Sequence, residues 1–261
     1  MVAAWAAHGT AGQIEQALTA LPATADPDLA LTGFNQLVLE RPWLFADLAK
    51  DRDFAKRLIA VLGASVALNQ HLAGHPDDVD VLLGSVHRRT VEELRAEQLA
   101  AIGADPDSAD PVADANRSDD LRRGYRRCLL RIAARDLTAA DPIAALPDIA
   151  GELADLADAT VEAALALARG EVPGWEGCRL GIVALGKTGA KELNYVSDVD
   201  VLYIAEPALD EAGETLGDAF SLVNPNNVVG AVLGAAVVFF FSGLAISAVS
   251  RAAGRVVFEV R

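Results

Sequence analysis

The chain has 261 residues, enough for one large domain or two small ones, and 52% are apolar while only 5% are aromatic. The formal net charge of -15 argues against nucleic-acid binding, which calls for basic patches, but leaves room for a nucleotide held through metal ions and carboxylates. The two cysteines, Cys128 and Cys178, form no CxxC pair, so neither a disulfide framework nor a zinc site is suggested.

Met1 to Gly12 lacks a charged leader and does not read as a secretory signal, which fits a cytoplasmic first part. Ala and Leu dominate the chain beyond Gly12, and both enter helices at little cost. From about Gln13 to Gly170 the apolar residues recur at helical spacing: Phe34, Leu37 and Val38, then Trp43, Leu44 and Leu48, then Phe54, Leu58, Ile59 and Leu62. Breaks are expected at Leu21-Pro22, Arg41-Pro42, His75-Pro76 and Ala104-Asp105-Pro106, and Asp105 to Ser118 reads as a loop.

Leu121 to Leu137 is a helix with an arginine face (Arg122, Arg123, Arg126, Arg127, Arg131, Arg135) and apolar positions mainly elsewhere. That face can pair with acidic neighbours in a helical bundle, or receive an acidic partner surface or phosphate. His71 and His75 stand at metal-ligand spacing, but no third ligand accompanies them, which favours a structural or helix-end role. Asp77, Asp78 and Asp80 suit a helix N-terminal turn after Pro76. Asp141-Pro142 opens another helix, which runs on through Arg169.

The period then changes. Arg179 to Leu185 reads as a buried strand, Gly186 to Ala190 as a glycine-containing turn, and Ser197 to Ile204 as a second strand. In such a strand Asp198 and Asp200 share one face, and Val199, Val201 and Tyr203 the other. A glycine turn lets backbone N–H groups approach phosphates, and paired carboxylates can hold divalent cations. Taken alone, an Asp-x-Asp pair is common by chance, and Lys187 and Lys191 read as solvated lysines.

The full string GKTGAKELNYVSDVDVLYIAEP, preceded by LGIVAL, closely resembles the nucleotidyltransferase motif of the glutamine synthetase adenylyltransferase family. The upstream strings YRRCLLRIAARDLT, LADLADATVEAALALAR and VLGASVALNQHLAGHPDDVDVLL are also similar to it. The resemblance runs over about residues 30–210 and matches the first of the family's two nucleotidyltransferase domains, associated with phosphorolytic removal of AMP from glutamine synthetase. It implies Mg²⁺ or Mn²⁺, ATP or ADP and phosphate, and glutamine synthetase as protein partner in nitrogen regulation, with no nucleic acid.

Carried over, Asp198 and Asp200 are the catalytic, metal-binding carboxylates. Gly186, Lys187 and Gly189 lie in the phosphate-contacting turn, and Asn194 and Ser197 shape the approach to the carboxylates. Thr188 and Ala190 depart from the family pattern, where a bulkier or sulfur-bearing residue and a glycine are common. Ala190 is expected to hinder a close approach if its φ must be positive. The third carboxylate of this fold comes from a later strand, and none with a suitable Asp precedes the tail. Weak or no catalysis is therefore expected from this chain by itself.

Ala219 to Ser250 carries no charge, and Val228 to Val249 is long enough for a bilayer span, which takes about 20 apolar residues. The segment from Ser221 to Arg261, above all FFFSGLAISAVSRAAG and VVFEVR, resembles a transmembrane helix of the membrane-bound proton-pumping pyrophosphatases. Acidic residues before the run and Arg251, Arg255 and Arg261 after it would place the C-terminal end in the cytoplasm and the first part outside. That conflict suggests a chimera joined near Gly213 to Ser221. A buried helix of a soluble core is the alternative for the run.

The expected fold is mainly α: a helical region at 1–170, an incomplete α/β nucleotidyltransferase core at 171–215, and one long apolar, transmembrane-like helix within a pyrophosphatase-like fragment at 216–261. Membrane contact is open through residues 228–249. Two other functional readings stand beside the transferase: a fragment of a proton-translocating pyrophosphatase, and a catalytically dead helical module that binds glutamine synthetase.

Overall fold

The computed structural model describes residues 5 and 9–208. Among these, one compact unit holds 5–173 with 183–202, and a second holds 174–182 with 203–208. The described chain is mainly helical, with one small two-stranded sheet.

Proline and capping side chains set the helix ends in the first unit. α1 (Ala11–Ala20) stops at Leu21-Pro22, and α2 (Pro27–Glu40) starts on a proline behind Asp26, whose carboxylate accepts from the Leu29 N–H at 2.9 Å. α3 (Leu44–Lys50), α4 (Arg52–Ala64) and α5 (Val66–Gly74) come next in quick succession. Asp51 caps α4, accepting from Asp53 and Phe54, and Ser65 caps α5. A capping box of Thr90 and Glu93 opens α6 (Val91–Ala101). The longest helices among the described residues follow: α7 (Ser118–Leu137) and α8 (Pro142–Glu171), the latter capped by Asp141. Pro147 lies only one turn into α8, where its missing N–H removes one helix bond without ending the helix.

Three apolar clusters hold these helices. Phe34, Leu37, Phe54, Leu58, Ile59 and Leu62 pack with Leu130 of α7, and Trp5 meets Phe34 edge-on at a centroid distance of 5.1 Å. Burying each such side chain stabilises by about 1.5–3 kcal/mol. Leu94, Cys128, Ile132, Ile149, Leu153 and Leu156 join α6, α7 and α8, and Leu193 from the later segment inserts among them. Leu99, Leu121, Ala163 and Leu167 form the third cluster. The irregular 105–118 stretch lies flush on α8: the Ala113 N–H donates to Ala166 O at 3.0 Å, and a Cβ on Gly170 would fall 1.8 Å from Ala113 O.

Several expectations need correcting. Trp43 is 56% exposed, with the Arg41 guanidinium 5.6 Å from its ring centroid, and only Leu44 and Leu48 of its triplet enter the core. The acidic stretch after Pro76 does open a helical turn, a 3-10 helix at Pro76–Leu82 with Asp77 and Asp78 in its first turn, and Asp78 is wholly buried there. No helix among the described residues is long and apolar enough to cross a membrane. The run at 219–250 that carried the span expectation lies outside the described residues.

The second unit begins at Gly174, in the left-handed region at φ 77°, ahead of a 3-10 turn, Trp175–Gly177. Strand β1 (Cys178–Ala184) pairs with β2 (Val201–Pro207). Leu185 N–H donates to Asp200 O, and Ala208 N–H donates to Gly177 O, which is the order of an antiparallel pair. β2 begins at Val201, four residues later than expected, so Asp198 and Asp200 precede the strand. The expected alternation of faces is not seen, because the residues from Leu202 to Glu206 are all exposed.

Candidate functional site

The residues singled out by the motif lie between Leu185 and Asp200, inside the first unit. Gly186 leaves β1 with φ 55° and opens a single helical turn, α9 (Gly186–Gly189). Glycine is required there on two counts. Its φ is left-handed, and a Cβ would sit 2.4 Å from Asp200 Oδ2. Asp200 is thereby brought against the start of the turn, while its backbone oxygen accepts from Leu185. Gly189 is equally tight, since a Cβ would lie 2.5 Å from Ala184 O.

Lys187 Nζ donates to Ser197 Oγ at 3.5 Å, and the Ser197 hydroxyl donates to Asn194 Oδ1 at 2.9 Å. The same Asn194 oxygen accepts from the Val196 N–H at 3.0 Å, an Asx turn two residues before Asp198. Asp198 and Asp200 are both exposed, and neither carboxylate has an ion-pair or hydrogen-bond partner among the described residues. The structure thus gathers Gly186 with Asp200, and Lys187 with Ser197 and Asn194. Among the described residues, no hydrogen bond or ion pair joins the Asp198 side chain to either set.

Two residues of the motif behave differently from expectation. Ala190 has φ -78°, an ordinary right-handed value, so it carries no strain. The left-handed position falls instead on Lys191, the only non-glycine with positive φ among the described residues. Lys191 is not a free surface lysine: its Nζ lies 2.9 Å from Asp155 and 2.6 Å from Asp158, both on α8. Burial alone would lower its pKa, but the Asp158 and Asp155 carboxylates raise it. Tyr195 OH donates to Asp136 at 2.9 Å. Burial, then the Asp136 charge, push that phenol above its ordinary value. Thr188 is buried, and its hydroxyl has no partner among the described residues.

The arginine face of α7 meets acids of the bundle. Arg123 makes a bidentate pair with Asp78 at 2.8 and 3.0 Å, Arg127 reaches the same carboxylate at 2.6 Å, and His71 Nε2 lies 2.9 Å from it. Burial would raise the Asp78 carboxyl, but bonds from His71, Arg123 and Arg127 outweigh it and hold the group well below the usual carboxylate range. Arg131 pairs with Glu97, and Arg135 with Asp148 and Glu152. No group of three or more His, Cys, Asp or Glu placed to hold a metal ion is found among the described residues.

Against known families, the glutamate-ammonia ligase adenylyltransferase model matches residues 55–222. The chain belongs to this family. Adenylyltransferase relatives bear this out along most of the chain. The bifunctional glutamine synthetase adenylyltransferase/adenylyl-removing enzyme of Cutibacterium acnes is 44% identical over 73% of the chain and 20% of its own length. Enzymes of the same name from Streptomyces avermitilis and Leifsonia xyli are 46% and 38% identical, over 73% and 80% of the chain and 18% and 22% of their own lengths. The chain thus spans about a fifth of the curated adenylyltransferases it matches. A second model, Inorganic H+ pyrophosphatase, matches residues 193–261 and overlaps the adenylyltransferase match at 193–222. No solved structure matches the chain.

For this member of the family, the motif was legible in the sequence, whereas the residues that anchor it were not. Lys191, Tyr195 and Leu193 act on partners far away along the chain. One signal was available: Asp155 and Asp158 stand three apart on a helix, a spacing that places two carboxylates on one face.

Proposed function

We propose that this chain is the front part of an enzyme that moves AMP on glutamine synthetase, and that its motif belongs to the half that removes AMP by phosphorolysis. The observation that carries the reading is Asp200 held against Gly186, with Lys187, Ser197 and Asn194 hydrogen-bonded to one another in the same segment, within a chain of this family. In the reaction, a phosphate oxygen attacks the adenylyl phosphorus, the bond to the tyrosine oxygen breaks, and ADP leaves. Lys187 places a cation at the turn, and Ser197 and Asn194 fix the backbone that presents Asp198 and Asp200.

The donor set fits a divalent ion. Asp198 and Asp200 offer hard carboxylate oxygens that no described cation neutralises, and Mg²⁺ or Mn²⁺ takes such donors together with phosphate oxygens. When bound, the ion would supply charge neutralisation on the phosphate. The test uses the full chain with adenylylated glutamine synthetase, phosphate and Mg²⁺, following ADP. Slow, metal-dependent ADP release is expected, and the Asp198→Asn/Asp200→Asn double variant should abolish it. Undiminished release by that variant would sink the assignment. Capture of glutamine synthetase without ADP release would favour a catalytically dead binding module.

The pyrophosphatase match favours a second reading for the tail. In it, residues from about 221 onward derive from a membrane pyrophosphatase joined to a cut adenylyltransferase, with membrane contact through residues 228–249. Recovery of the full chain in the soluble fraction without detergent would exclude a working span.

A further inference from the structure

We infer that Lys191 is a positioning residue that latches the carboxylate-bearing loop to helix α8, resting on the reading of Asp198 and Asp200 as metal ligands. Its backbone is the starting point. A left-handed residue that is not glycine costs roughly 1–2 kcal/mol, so something must hold it there. What holds it is a bridge to two carboxylates one turn apart on α8: Asp155, 5% exposed, at 2.9 Å, and Asp158 at 2.6 Å. The left-handed turn at Lys191 also redirects the chain after α9, and Leu193, two residues on, enters the α6–α7–α8 core. Tyr195 then donates to Asp136 at the end of α7. Three anchors of different chemistry, an ion pair, an apolar side chain and a phenol, thus fall at alternate positions directly before Asp198.

Lys191 is the anchor with a specific electrostatic demand. Asp155 is shared with Arg88, whose other N–H groups reach Asp148 at 2.6 Å, while Arg88 itself lies 3.0 Å from Asp155. Removing Lys191 leaves Asp155 one cation, and Asp158 loses its only ion-pair partner among the described residues. Supporting residues of this kind orient the first ligands of a metal without touching it, and their loss typically costs roughly 10–100-fold in metal affinity.

The test compares the full chain with Lys191→Met, Lys191→Arg and the remote Asp155→Asn/Asp158→Asn pair. Two readouts are made: amide hydrogen exchange over residues 192–200, and Mn²⁺ affinity by paramagnetic resonance. Lys191→Met should speed exchange in 192–200 at least tenfold while helices α2 to α4 keep their protection. It should weaken Mn²⁺ binding roughly 10–100-fold, Lys191→Arg should restore most of both, and the α8 pair should reproduce the Met phenotype. Unchanged exchange in Lys191→Met would overturn the latch. If Mn²⁺ binding survives in Asp198→Asn/Asp200→Asn, the metal-site reading fails, and the exchange result still judges the latch. If Mn²⁺ binding needs Asp198 and Asp200 but is indifferent to Lys191, the site stands and the positioning role falls.

Discussion

Two sets of carboxylates in this molecule have opposite surroundings. Asp78, Glu97, Asp148 and Glu152 each face arginines of α7 in the helical bundle, and Asp78 is buried with cations on several sides. Asp198 and Asp200 stand exposed on an irregular loop with no cation of the described chain against them. The first set spends its charge on the fold. The second leaves its charge available, as the proposed cation site requires. An acidic chain therefore cannot be read by its net charge alone, because most of its carboxylates near α7 are already matched.

The sharpest way to break this contrast is to neutralise one member of each set. Asp78→Asn should cost about 1–3 kcal/mol in urea unfolding, because it puts a neutral amide at a wholly buried carboxylate position and removes the pairs with Arg123 and Arg127. Asp198→Asn/Asp200→Asn should stay within about 0.5 kcal/mol of the parent. The Asp78 effect should also depend on pH. Its folded pKa is depressed, so its contribution is complete above the unfolded carboxyl value of about 3.9 and is lost as pH falls towards the folded value. The stability gap between parent and Asp78→Asn should then be full at neutral pH and shrink in acid. A gap that widens on acidification would contradict this account of the bundle.

A smaller effect is expected from Gly186→Ala. It forces a left-handed alanine and pushes a methyl into the Asp200 carboxylate, so stability should fall by about 1–2 kcal/mol and Mn²⁺ affinity with it. Smallest is Thr188→Val. The Thr188 hydroxyl is buried with no partner among the described residues, so the swap should raise thermal stability by up to about 1 kcal/mol without affecting Mn²⁺ binding.

How far the sequence could be read depends on the range of the forces involved. Helix ends were legible because prolines and caps act locally: Asp141-Pro142 opens α8, and His75-Pro76 closes α5. The glycine turn after β1 was legible for the same reason. The start of β2 was not. Periodicity extended the strand back over Asp198 and Asp200, whereas among Ser197 to Asp200 only the Asp200 carbonyl is bonded across the pair. The hidden role of Asp78 and the anchoring of Lys191 escaped because the arginine partners of the one and the carboxylate partners of the other lie 33 to 49 residues away. The left-handed position at Lys191 went unread because glycine is the usual signal for one, whereas here a lysine paired with Asp155 and Asp158 holds it.

The Asp78 pairing also sets a schedule for synthesis. Arg123 and Arg127 come 45 and 49 residues after Asp78. A ribosome adding about 5–20 residues per second needs on the order of seconds to deliver them. During that interval helices α1 to α5 can gather their apolar faces, but the aspartate at their edge has no guanidinium to meet. Until Arg123 and Arg127 arrive, its carboxylate's one partner among the described residues is His71 of α5, and its guanidinium pairs form only after α7 has been made.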